Sequence, residues 1–126
     1  MKRSFLIILS VLFLAGCSTI QNPVNNNALA SAISTYGILD SAVIAYRSLP
    51  RCTKTNNFSI ENICYKRSVL VQAQAYDKAA NVAINNAVEY KRAYPTLDPT
   101  AYISAATLAV TTFKDFAVAA QLPGVQ

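Results

Sequence analysis

Three stretches of the chain repeat apolar side chains at alternating spacings of three and four, the period of a helix buried along one face. In the first, Leu29, Ala32, Tyr36, Leu39, Val43 and Tyr46 form the stripe, and Leu49-Pro50 ends it. In the second, Val69, Ala73, Tyr76, Ala80, Ala83, Ala87, Tyr90 and Tyr94 follow the same rhythm up to Pro95. In the third the stripe is Tyr102, Ala106, Ala109, Phe113, Phe116 and Ala120. Asp98-Pro99 opens this last segment, with Asp as N-cap and Pro at the first helical position. Leu122-Pro123-Gly124 stops it. The short link from Tyr94 to Asp98 makes the second and third helices an antiparallel pair, and an up-down-up three-helix bundle is the natural closure. The expected fold is therefore all-α over residues 28–126, with alanines facing tyrosine and phenylalanine rings. An oligomer of helical hairpins remains an alternative, since each stripe also fits a coiled-coil seam. Ile38, Ile44, Ile84 and Val88 lie off the strict seams and widen the apolar faces, which favours the monomeric bundle.

The start of the chain reads differently. Lys2 and Arg3 precede an apolar run from Phe5 to Leu14, broken only by Ser10, and Leu14-Ala15-Gly16-Cys17 follows. The run is shorter than the roughly 20 residues a membrane span needs, and it has the three-part build of a secretory signal. Leu14-Ala15-Gly16-Cys17 resembles the lipobox of bacterial lipoproteins. That resemblance implies removal of residues 1–16, fatty acylation of Cys17 by palmitate-type chains, and membrane attachment. In that family Ser18 after the cysteine implies the outer membrane, facing the periplasm. Residues 17–27 then read as the lipidated cysteine and a polar tether, rich in Asn and holding Pro23. Loss of Lys2 and Arg3 lowers the net charge from +5 to +3.

Export changes the reading of the other two cysteines. Cys52 and Cys64 flank a polar loop between the first and second helices, and in an oxidising compartment a pair so close is expected to be bridged. A redox or metal role is disfavoured: the spacing is not C-x-x-C, and the chain has no histidine. The same absence removes a Ser-His-Asp triad. With only three glycines there is no phosphate-cradling loop. Of the six carboxylates, Asp98 reads as a cap, and Asp77 and Glu89 as solvated helix faces beside cations. Asp40 is the odd charge in an apolar helix, either paired with Arg47 or exposed. No catalytic site, metal or cofactor is expected.

One charge cluster stands out. Arg47, Arg51, Lys54, Lys66 and Arg67 surround the cysteine loop, against Glu61 alone. They form a candidate docking surface for an anionic envelope protein or cell-wall partner, at the end of the bundle furthest from the lipid anchor. No aromatic-basic interleaving supports nucleic acid. The stretch Ala45-Tyr46-Arg47-Ser48-Leu49-Pro50-Arg51-Cys52, with Cys64 and two alanine-rich helices, resembles small uncharacterised helical proteins of phage and prophage genomes. That resemblance implies an envelope role such as superinfection exclusion or lysis. The other expectation is a non-catalytic envelope lipoprotein, a monomer or small homo-oligomer, acting by protein or wall interaction.

Overall fold

The computed structural model describes residues 23–53 and 63–125, with side chains from Asn25 onward. Three helices follow one another: α1 (Pro23–Ser48), α2 (Arg67–Ala93) and α3 (Thr100–Ala119). Each packs against both others, and the described residues contain no strand. The up-down-up bundle expected from the apolar periods is the observed fold.

α1 begins at Pro23, ahead of the expected start at Ala28, so residues 23–27 are helix and not tether. Proline suits a first helical turn because its missing N–H would have no partner there. The Asn run is then held by the other helices. Asn25 Nδ2 donates to Thr100 Oγ1 at 2.9 Å, and Lys91 Nζ donates to Asn26 Oδ1. Asparagines that look like a linker in the sequence are docked polar contacts in the fold.

The helix ends obey local rules. α2 stops at Tyr94 because the residue before a proline is driven out of helical geometry. α3 starts one residue later than expected, with Pro99 and not Asp98 as its N-cap, because the first helical bond runs from Ile103 N–H to the Pro99 carbonyl. Asp98 stands just ahead, its Oδ1 accepting from the Thr100 backbone N–H at 3.0 Å and from the Thr100 hydroxyl. α3 closes with Gln121 in the left-handed region at φ 55°. Its N–H donates to the Val118 carbonyl, and the Leu122 N–H reaches back to Ala117 at 2.9 Å. This is a Schellman ending, with buried Leu122 as its apolar contact and Pro123 barring further helix.

The Thr100 bonds hold the Asp98 carboxyl below its ordinary value of 3.8. A lowered folded-state pKa means that the unfolded chain binds more protons in acid. The stability these bonds contribute is present above pH 3.8 and is lost as pH falls through the folded-state value. Asp98→Asn should therefore flatten the acid limb of the stability curve below about pH 4, read by urea unfolding at several pH values. An acid limb as steep as that of the wild type would show that the Asp98–Thr100 bonds contribute nothing.

The core is built from alanine against rings, as the stripes anticipate. Ala73, Ala80, Ala87, Ala106, Ala117 and Phe113 are fully buried. Tyr76 stacks on Phe113 at 6.5 Å between ring centres and lies 4.8 Å from Phe116. Two expectations shift. On α3, Ile103, Val110 and Ala117 are buried beside the expected stripe, whereas Tyr102 is 42% exposed. A helix packed against two partners buries a face wider than a coiled-coil seam. On α1, Ile38 and Ile44 are 56% and 62% exposed, so they do not widen the core as Ile84 and Val88 do.

Candidate functional site

The end of the bundle where α1 passes to α2 is fastened at several points. Pro50 ends the helical run, and the chain then pairs briefly with the segment entering α2. A parallel bridge joins Arg51 and Tyr65, with Tyr65 N–H donating to the Pro50 carbonyl at 2.9 Å and Cys52 N–H to the Tyr65 carbonyl at 3.0 Å. Cys52 and Cys64 are bridged, with Cα atoms 5.0 Å apart, and Cys64 is fully buried. Beneath the bridge lies Tyr46, which is 3% exposed. Its ring meets Tyr65 edge-on at 6.3 Å, and its hydroxyl accepts the Lys66 backbone N–H at 2.8 Å. That bond satisfies one of the orphan donors at the start of α2, where the side chain of the N-cap residue, Lys66, makes no capping bond of its own.

This fastening gathers the expected basic residues. Arg47 closes α1, Arg51 lies on the bridge, and Lys66 and Arg67 open α2; all four are exposed. Lys54 and Glu61, the other members of the sequence cluster, lie outside the described residues, as does Cys17. The charges are not equivalent. Arg47 at a helix C-terminus is favoured by the helix dipole, while Lys66 and Arg67 at an N-terminus oppose it. The first turn of α2 holds no acidic residue to offset them. Local helix energetics therefore accounts for one of these cations and not for the pair on α2.

A second polar group lies midway along the α1–α2 seam. Asn81 Nδ2 donates to the Tyr36 hydroxyl at 3.1 Å, and Asn85 supports Asn81 at 2.8 Å. Burial raises the Tyr36 pKa above 10.0; the Asn81 bond opposes this, and a hydrogen bond with Asp77 and the charges of Asp77 and Asp40 add to it. Asp77 is thus not the solvated residue expected from its place beside Lys78. It is half-buried, with Oδ1 sealed from solvent and without a hydrogen-bond partner. Asp40 is half-buried on the same side. A helical period marks which face is buried but not which polar residue at its margin is caught there. Among the described residues no group of three or more His, Cys, Asp or Glu side chains is placed to hold a metal ion.

Comparison with protein families finds the prokaryotic membrane lipoprotein lipid attachment site at residues 1–18. Comparison with curated proteins and with solved structures finds no match. The family match covers the signal and the cysteine, and the helical bundle lies beyond it. The chain is a membrane-anchored bacterial lipoprotein of the envelope, carrying an all-α bundle with one disulfide.

Proposed function

We propose that the protein is a non-catalytic lipoprotein of the outer membrane, facing the periplasm, that binds an anionic envelope protein or cell-wall partner through the basic end of its bundle. The observation that carries this reading is the placement of Lys66 and Arg67 at the start of α2. There they oppose the helix dipole, yet they stand beside Arg47 and Arg51 on a platform fixed by the disulfide and by Tyr46. Energetically disfavoured charges held on a rigid base suit a binding surface better than a merely solvated end. The anchor supplies orientation. The 26 residues of α1 give a length of roughly 39 Å, so the basic end stands away from the bilayer when α1 rises from it.

The test is the double charge reversal Arg51→Glu with Arg67→Glu in the full-length, lipidated protein. An acidic residue at position 67 complements the dipole, so folding stability should hold or rise by about 0.3–1 kcal/mol. Crosslinking to the partner in cells should nonetheless be lost, and for the wild type it should weaken as salt shortens the screening length. Undiminished crosslinking by a folded double variant would show that this end is only solvated.

A further inference from the structure

The outward side of α1 is unlike a solvated helix face. Ile33, Ile38 and Ile44 are 43%, 56% and 62% exposed. Between them along the helix lie Ser34, Gly37 and Ser41, all exposed. The two charged residues of α1, Asp40 and Arg47, stand at the margin of this arc beside Ile33 and Ile44, and none lies on the Ser34–Gly37–Ser41 midline. Two of its hydroxyls donate within the helix. Ser41 Oγ donates to the Gly37 carbonyl at 2.8 Å and Ser48 Oγ to Ala45 at 2.7 Å, so both are satisfied within the helix. By length and composition α1 could cross a bilayer, yet its other side is built into the core.

Shape separates the occupants this face could take. A surface that sinks into lipid carries its bulk along the midline. Here the midline is small and the isoleucines stand at the edges. A shallow groove of about 390 Å³ runs over Ser34, Gly37, Ile38 and Ser41, bounded by Pro123 and Gly124. Gly37 sits within it. Glycine in mid-helix is disfavoured by about 1 kcal/mol relative to alanine. Nothing in the chain requires it, because a Cβ added there meets no atom within 4 Å. A glycine with no use inside the fold, in a groove lined by Ser34, Ser41 and Ile38, fits the close approach of another helix.

The stretch between the anchor and α1 says which helix. Only five residues, Ser18–Asn22, separate the lipid-bearing Cys17 from Pro23, and they reach at most about 20 Å. Two copies in one leaflet therefore hold α1 at about the same height, with its start toward the membrane in both. We propose that the outward face of α1 is a dimer seam between two anchored copies, with α1 parallel to α1 and Ile38 of each seated along the groove of the other. The contact is self-complementary, as two-fold symmetry demands. A single helix pair makes a small interface, and confinement to the membrane raises the effective concentration that makes it sufficient. This seam does not depend on the basic end and leaves that end free.

Ser41→Cys in the full-length lipidated protein, oxidised in native membranes, tests the proposal. A disulfide-linked dimer should form at about ten times the yield of Gln74→Cys on the exposed side of α2, because both variants are equally confined and only an aligned contact separates them. Gly37→Leu should abolish the link while the bundle stays folded by helicity, since position 37 has open space. Ile38→Ser should weaken it independently. Equal yields from Ser41→Cys and Gln74→Cys, or a link that survives Gly37→Leu, would overturn the seam. So would a thiol in the Ser41→Cys variant that is shielded from a water-soluble maleimide without dimerising, which would assign the face to lipid. Loss of partner binding through the basic end leaves every one of these readouts unchanged, so the two proposals fail separately.

Discussion

Replacing both Cys52 and Cys64 by alanine is expected to lower the unfolding free energy by about 3 kcal/mol. The bridge spans a sequence separation of 12, and closing a loop of that size removes entropy mainly from the unfolded chain. The native loop ends are also tied by the Arg51–Tyr65 bridge and by the Tyr46 hydroxyl on Lys66 N–H. Those ties keep the folded end of the bundle in place when the covalent link is gone, so the loss should fall on the unfolded side. In urea the midpoint should drop by about 1–3 M, given slopes usual for small domains. Helicity in water should change little. A midpoint within error of the wild type would mean that the bridge contributes nothing, and a loss of helicity in water would mean that it builds the native end as well. The double variant is the proper test, because a single replacement leaves a reactive thiol.

Much of this architecture is legible in the sequence, and the reasons differ from element to element. Alternating spacings along Val69 to Tyr90 place the core face of α2 correctly, because alanine and tyrosine on one side against lysine, asparagine and glutamine on the other leave a single solution. α3 is less determined. Its surface offers threonine, serine and alanine around the whole circumference, so Ile103, Val110 and Ala117 are as eligible for burial as the stripe beside them. On α1 apolar residues also encircle the helix, and the sequence cannot tell that Ile38 and Ile44 face outward. The Asn run ahead of Ala28 has the composition of a tether. It becomes helix because Thr100 and Lys91 offer it partners, and both are distant in sequence. The gathering of Arg47, Arg51, Lys66 and Arg67 follows from the nearness of the two cysteines. The buried Tyr46 beneath them is legible only as a stripe position, and nothing local announces that its hydroxyl caps the next helix.

Phe113→Ala should be the most damaging single substitution in the bundle. Phe113 is the largest fully buried side chain among the described residues. Truncating a buried phenylalanine costs about 3–5 kcal/mol, with larger values where neighbours cannot move in to fill the space. The surroundings argue for the upper part of that range. Much of the core is alanine, including Ala73, Ala80, Ala106 and Ala117, and an alanine has no rotamer by which to fill a void. Tyr76, the ring stacked on Phe113, is also engaged with Phe116 at 4.8 Å. Small domains hold only about 5–15 kcal/mol in total, so the variant should be marginal at 37 °C. Its midpoint should fall by about 16–40 °C, for a cost of about 4–5 kcal/mol at 4–8 °C per kcal/mol. Phe116→Ala is the matched control. Phe116 is half-buried at the edge of the same cluster, keeps part of its surface in water, and should cost less. Thermal unfolding of the two variants with the disulfide intact decides the matter. If Phe113→Ala destabilises no more than Phe116→Ala, Phe113 is not the centre of the alanine core and the packing described for α2 on α3 is wrong.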